Sequence, residues 1–143
     1  MREILFRGKR IDNGEWVEGW YLPATTVTHY GCMPETIGVS ITYMLEDGFF
    51  EDTVVFPDTV GQYTGLTDKN GRKIFERDIV QFRTRGGSLF KPLYVRWYEE
   101  TASFIVTESN CVRSYPMDRT WEYEVLGNFY DNIDLLKGAD NVS

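Results

Sequence analysis

The sequence predicts a mostly β protein, because short alternating segments are separated by turn residues along most of its length. The clearest strand covers residues 37–45, in which every odd position is aliphatic or aromatic. The tight-turn residues Asp12-Asn13-Gly14 lie between two short extended segments and predict an N-terminal hairpin. Many short strands joined by turns are typical of β-barrels and β-sandwiches.

The predicted elements follow in order along the chain. Residues 2–11 and 15–22 form the hairpin, and residues 23–38, with two prolines, are predicted to be a loop or an irregular excursion with a short extended piece. Turns are predicted at residues 46–48 and 67–71, where Gly follows acidic or amide side chains. A short helix is predicted at residues 133–137, with Asn132 as its N-cap. The strands after the loop are predicted at residues 37–45, 49–56, 60–65, 79–83, 93–98, 104–107 and 121–126.

Composition and charge bound the class of protein. The chain has 143 residues, 42% hydrophobic and 15% aromatic, enough for a packed core in one domain with or without a smaller lobe. Its net charge of −7 opposes broad, non-specific binding to nucleic acid, because phosphates carry the same sign. The basic side chains concentrate between Arg72 and Arg96, where seven of them face two acidic ones.

Targeting and redox signals predict a cytoplasmic protein with no membrane partner. The N-terminus lacks the apolar run of a signal peptide, and no stretch approaches the roughly 20 apolar residues of a membrane span. The two cysteines, Cys32 and Cys111, are too few and too far apart to indicate a disulfide framework.

Motifs for metal binding and catalysis are incomplete, so we expect no metal, no cofactor and no enzymatic activity. The Asp68-x-Asn70-Gly71 sequence suggests a calcium loop, but Leu66 and Arg77 would occupy positions that need oxygen ligands. His29, Cys32 and Cys111 offer three soft metal ligands without a fourth. Nucleophile elbows and phosphate loops are missing from the sequence.

A basic and aromatic stretch is the most distinctive chemical feature. Arg83 and Arg85 are two residues apart on or near one strand and are expected on the same face. Such side chains can contact phosphates and stack on bases, or they can pair with carboxylates of this chain or of a second subunit. The candidate residues for binding nucleic acid or an acidic partner are Arg83, Arg85, Lys91, Arg96, Trp97 and Tyr98.

Polar residues around the predicted turn at 67–71 form a second candidate site. They are suited to line a recognition groove, or to satisfy backbone groups within the turn itself, which we favour. These residues are Gln62, Tyr63, Thr64, Asp68, Lys69 and Asn70.

Three segments together resemble the YopX family of phage and prophage proteins. They are FRGKR with EWVEG at residues 6–10 and 15–19, TVGQYTGLTDKNGRKIFERDIV at 59–80, and YEVLGNFYDN at 123–132. The resemblance implies an origin in a phage or prophage and an SH3-like barrel with a short C-terminal helix at residues 57–143, after an N-terminal β lobe at 1–56. It brings no established activity. Family members usually carry Gly where this chain has Arg77, which would be strained by about 1 kcal/mol if φ there is positive.

The leading hypothesis for function is a non-catalytic binding or assembly module. It would act through protein contacts with a second copy, or with a phage or host protein, using strand edges and exposed aromatic side chains. The expected aromatic contacts are Trp16, Trp20, Tyr94 and Trp97. The alternative is a nucleic-acid-associated phage factor that uses the basic and aromatic stretch.

Overall fold

The computed structural model describes residues 3–27, 36–109 and 113–140, and in these ranges the protein is mostly β. The first strands are β1 (Phe6–Lys9), β2 (Trp16–Val27), β3 (Thr36–Met44) and β4 (Phe50–Val55), followed by a 3₁₀ turn at Pro57–Thr59. The later strands are β5 (Gly61–Thr67), β6 (Lys73–Phe75), β7 (Asp78–Arg83), β8 (Leu93–Tyr98), β9 (Ser103–Thr107), β10 (Ser114–Pro116) and β11 (Glu122–Asn128), and the helix is α1 (Asp134–Asp140).

The chain forms two compact units, Met1–Gln62 and Tyr63–Ser143. The first contains β1 to β4, the 3₁₀ turn and the start of β5. The second contains the rest of β5, β6 to β11 and α1.

The N-terminal hairpin is confirmed: β1 pairs antiparallel with β2, and Lys9 lies opposite Trp16. Gly14 adopts a φ of +73°, which closes the turn, and its N–H donates to the Arg10 carbonyl at 3.0 Å. On its other edge β1 pairs with the start of β5, where Phe6 lies opposite Gln62.

Strands β2, β3 and β4 continue the antiparallel sheet of the first unit. The end of β4 is hydrogen-bonded to the end of β1 and to the residues that follow it. The Phe56 N–H donates to the Lys9 carbonyl at 2.9 Å, and the Ile11 N–H donates to the Val54 carbonyl at 3.1 Å. Val55 is fully buried here, and a Cβ atom added at Gly8 would lie 2.9 Å from its Cγ2 atom. Glycine is therefore what lets β1 approach Val55.

The loop or irregular excursion predicted at residues 23–38 is extended at both of its ends, in agreement with the short extended piece expected within it. Strand β2 runs to Val27 and pairs with β3, which begins at Thr36. The pairing register shifts between Leu22 and Thr25, so the proline at position 23 lies at an irregularity that a strand tolerates. Residues 28–35, with the candidate ligands His29 and Cys32, lie outside the described residues.

The second unit is built on an antiparallel sheet in the order β10-β9-β8-β7-β11. Phe82 lies at the centre of its core and stacks on Trp121 and on Phe90, with ring centroids 4.7 and 4.5 Å away. No pairing among the described strands closes this sheet into a barrel. The buried core residues are Ile74, Val80, Phe82, Leu93, Val95, Val106, Tyr123 and Val125.

Two short strands and the helix start differ from the sequence predictions. The three-residue strands β6 and β10 were not predicted, because segments this short carry no detectable alternation. Helix α1 begins at Asp134 and extends to Asp140, past the predicted end. The Asn132 side chain does not serve as the predicted N-cap, since its oxygen accepts a hydrogen bond from the Asn128 N–H at 3.1 Å.

Candidate functional site

Three of the predicted basic residues lie on or beside the connection between β7 and β8. Arg83 ends β7, and its Nη1 atom donates to the Gly87 carbonyl at 2.9 Å. Arg85 and Lys91 follow in the connection, and all three side chains are exposed. The charge of Arg85 contributes to lowering the pKa of Asp118, after the larger effects of hydrogen bonds from the Thr120 hydroxyl and N–H.

Alternation along β8 separates the remaining candidates. Arg96 and Tyr98 are two residues apart and share the outer face, with the Arg96 guanidinium 5.6 Å from the centre of the Tyr98 ring. Trp97 lies on the opposite face, where its ring meets Phe104 edge-on at 5.0 Å. The structure therefore brings Arg96 and Tyr98 together and places Trp97, which is 36% exposed, on the other face of β8.

A groove of about 370 Å³ lies beside Arg96 on the outer face of β8, β9 and β10. Its floor includes Ile105, which lies opposite both Arg96 on β8 and Pro116 on β10 and is 5% exposed. The residues that line the groove are Arg96, Tyr98, Thr101, Ser103, Ile105, Ser114, Tyr115 and Pro116.

Arg83, Arg85, Lys91 and Arg96 form no ion pair with any carboxylate in the described part of the chain. Ion pairs within the described residues include Arg10–Asp12 and Lys69–Glu124. The side chains of Arg83, Arg85, Lys91 and Arg96 are thus open to a partner with negative charge.

The second candidate site begins on β5. Tyr63 is buried and packs against Phe75, with ring centroids 5.6 Å apart. The Thr64 hydroxyl donates to the Ile74 carbonyl at 2.8 Å and accepts the Leu66 N–H at 3.2 Å. Tyr63 and Thr64 thus hold β5 against β6, and Gln62 belongs to the first unit, where it pairs with Phe6.

Asp68 organises the turn between β5 and β6. Its Oδ1 atom accepts the N–H groups of Asn70 and Arg72 at 2.9 and 2.8 Å, and its Oδ2 atom accepts the Val125 N–H at 3.0 Å. Burial alone would raise the pKa of Asp68, but these backbone N–H donors outweigh it and lower the pKa below its usual value. The carboxylate is therefore committed to the turn as an acceptor for three backbone N–H groups.

The same turn docks on the outer edge of β11. Lys69 N–H donates to the Tyr123 carbonyl at 2.8 Å, and Lys69 Nζ lies 2.6 Å from Glu124 Oε2. Asp68 and Lys69 thereby cover an edge of the sheet that would otherwise expose unpaired backbone groups. These contacts support the structural interpretation of the turn residues, and they join the turn at residues 67–71 to β11 near the C-terminus.

The family model described as YopX protein matches residues 5–137. The chain belongs to the YopX family. No curated protein matches the sequence.

Arg77 is the position where this YopX sequence departs from the glycine that the family resemblance implies. It lies in the turn between β6 and β7 with a φ of +67°, so the expected left-handed conformation is confirmed. Its N–H donates to the Val95 carbonyl and its carbonyl accepts the Phe129 N–H, both at 2.6 Å. The strained residue therefore links β8 to the segment that follows β11.

Sequence reasoning missed an apolar surface on the first unit of this YopX protein. Trp20, Met44 and Phe50 lie on one face of β2, β3 and β4, since Trp20 is opposite Thr42 and Met44 is opposite Phe50. Phe49 precedes β4. We call these four side chains the apolar face. The sequence did contain a signal for this face. Because the odd positions of β3 were predicted to face the core, the large apolar side chain of Met44 at an even position could be expected to be exposed.

The described residues hold neither a metal-ligand cluster nor a helix suited to cross a membrane. In residues 3–27, 36–109 and 113–140, no group of three or more His, Cys, Asp or Glu side chains could hold a metal ion. The candidate ligand Cys111 lies outside these ranges, as His29 and Cys32 do. Within them no helix has the length and apolar character needed to cross a membrane.

Proposed function

We propose that this protein is a non-catalytic binding and assembly module that acts through protein contacts, including contacts between copies of itself. The observation that carries the proposal is the apolar face of the first unit. Trp20, Met44, Phe49 and Phe50 are 53%, 64%, 72% and 58% exposed, and the rings of Trp20 and Phe50 lie 5.5 Å apart.

Burial of such a face against a partner is energetically favourable. Contiguous apolar surface of this kind is uncommon on a protein that stays alone, and Trp, Phe and Met are enriched at the centres of interfaces. Polar groups adjoin the face, since Asp52 accepts a hydrogen bond from the Thr42 hydroxyl at 2.6 Å. An apolar centre with polar groups around it is the usual anatomy of a protein interface.

Family membership extends the proposal. We infer an origin in a phage or prophage, action in the cytoplasm of the bacterial host, and an SH3-like barrel type for the second unit. The strongly bent, five-stranded antiparallel arrangement expected of such a barrel is compatible with the order β10-β9-β8-β7-β11.

A variant series tests the role of the apolar face in self-association. The solution mass of the double variant Trp20→Ala, Phe50→Ala is compared with that of Leu89→Ala, a matched control whose side chain is 55% exposed in the second unit. We expect the double variant to return to 16.7 kDa while the control keeps the mass of the wild type. An unchanged mass in a folded double variant would contradict the proposed role of this face.

A second candidate function is association with nucleic acid, and the unpaired basic residues favour it. Residues 1–62 hold four basic and ten acidic side chains, whereas residues 63–143 hold eleven and twelve, so the repulsive charge is concentrated away from Arg83, Arg85 and Lys91. Binding of a labelled oligonucleotide should weaken steeply with salt and in the variant Arg83→Gln, Arg85→Gln. Affinity that is independent of salt would exclude this function.

A further inference from the structure

Arg96 has an unusual environment for a half-buried arginine. Among the described residues, no acceptor lies within hydrogen-bond distance of its guanidinium group, and its Nε atom is shielded from solvent. The guanidinium group lies over the face of the Tyr98 ring. Arginine carries five N–H donors in a planar fork, and donors held at a partly buried position are normally satisfied by an acceptor. Arg96 is therefore prepared to receive oxygen atoms from a ligand in the adjoining groove.

Hydroxyl groups extend this donor set across the groove. Thr101 Oγ1 and Ser103 Oγ lie 2.8 Å apart, so one hydroxyl donates to the other and the second keeps a proton for a ligand. Ser114 Oγ donates to Thr107 Oγ1 at 2.8 Å, which leaves the Ser114 oxygen as an acceptor. The groove thus offers a cationic fork and a hydroxyl donor together with a hydroxyl acceptor.

We propose that the groove binds a nucleoside monophosphate unit. A carboxylate has two oxygens and would be saturated by the arginine fork, whereas a phosphate has a further oxygen for the hydroxyl donor at Thr101 and Ser103. The acceptor at Ser114 suits a sugar hydroxyl. The apolar floor at Ile105 and Pro116 and the ring of Tyr98 suit a planar base.

The size of the groove agrees with this ligand. A volume of about 370 Å³ exceeds what an isolated inorganic anion fills and lies within the range of roughly 300–1,000 Å³ that small-molecule sites occupy. Every lining residue belongs to the second unit, so this site is independent of the assembly role of the apolar face. The same chemistry is presented by a free nucleotide and by single-stranded nucleic acid, and the experiment below separates the two.

The test is a titration of the full chain followed by amide chemical shifts. The probes are AMP, UMP, inorganic phosphate and a short oligothymidylate. We expect both nucleotides to bind more tightly than inorganic phosphate and to shift the amides of Ser103 and Ile105. Arg96→Gln should weaken nucleotide binding about tenfold or more. Arg119→Gln, which removes an exposed arginine that does not line the groove, should leave nucleotide binding within about twofold of the wild type.

The outcomes separate the groove from the second candidate function. Loss of nucleotide binding in Arg96→Gln supports the proposal that the groove binds nucleotides. If that variant does not fold, Ser103→Ala tests the same site. Nucleotides that bind no better than phosphate, or equally well in a folded Arg96→Gln, overturn the proposal. Oligothymidylate binding that depends on Arg85 but not on Arg96 would belong to the second candidate function, and together with nucleotide binding that survives in a folded Arg96→Gln it would overturn the groove. Nucleotide binding without oligothymidylate binding would assign the groove to free nucleotides.

Discussion

Replacing Arg77 with glycine should stabilise the protein, although it removes a whole side chain. The φ of +67° at this position costs an L-residue about 1–2 kcal/mol, and glycine carries no such cost. Glycine in turn loses about 0.5–1 kcal/mol more backbone entropy on folding. The two terms leave a net gain of about 0–1.5 kcal/mol for Arg77→Gly, before any loss of side-chain contacts.

Arg77→Ala is the control that isolates the backbone term. Like the glycine variant it lacks the arginine side chain, but it keeps the Cβ atom that makes the left-handed conformation costly. Chemical unfolding followed by circular dichroism should therefore rank Arg77→Gly above Arg77→Ala by about 1 kcal/mol. Equal stabilities for the two variants, or a less stable glycine variant, would refute the strain at Arg77.

Three further substitutions test other parts of the fold by the same unfolding assay. Ala102→Gly should stabilise by up to about 1 kcal/mol, because Ala102 also has a positive φ, of +50°; a destabilised variant would contradict this. Asp68→Ala should lower the free energy of unfolding by about 2–4 kcal/mol, because three backbone N–H groups lose their acceptor. A loss below about 1 kcal/mol would show that the turn does not need the Asp68 carboxylate. Gly19→Ala should cost about 3 kcal/mol, because its Cβ would overlap the Thr42 carbonyl oxygen between β2 and β3, and near-wild-type stability would contradict that close approach.

Asp68 also predicts a dependence of stability on pH. Its pKa is lower in the folded protein than the usual unfolded value of about 3.9. The stability it provides is therefore fully present above that unfolded value and is lost as the pH falls through the lowered folded pKa. Asp68→Asn should flatten this part of the acid limb of the stability curve. An acid limb identical to that of the wild type would show that the Asp68 charge does not stabilise the fold.

Strands with one buried face were predictable from the sequence, and irregular ones were not. Residues 37–45 alternate, Ile41 on the apolar face of this pattern is fully buried, and the observed β3 matches that segment closely. The proline at position 23 indicated a loop, but a shift of register lets β2 continue past it. Strand β10 has three residues and ends in proline, so only its pairing with β9 reveals it.

The candidate sites were harder to predict than the strands, because they depend more strongly on pairing between residues far apart in the sequence. Parity along one strand places Arg96 with Tyr98 and apart from Trp97, and the sequence contained this information. The groove needs the register of β8, β9 and β10 together, which no local pattern specifies. Asp68 shows the same limit, because its partner Val125 is 57 residues away.

The most direct test of the assembly role is the solution mass of the wild-type protein by light scattering coupled to size exclusion, at low and at high salt. An interface centred on Trp20, Met44, Phe49 and Phe50 is apolar, so salt should not dissolve it. We predict a mass at least twice 16.7 kDa at micromolar concentration, maintained at high salt. A monomer of 16.7 kDa under both conditions would contradict self-association through this face.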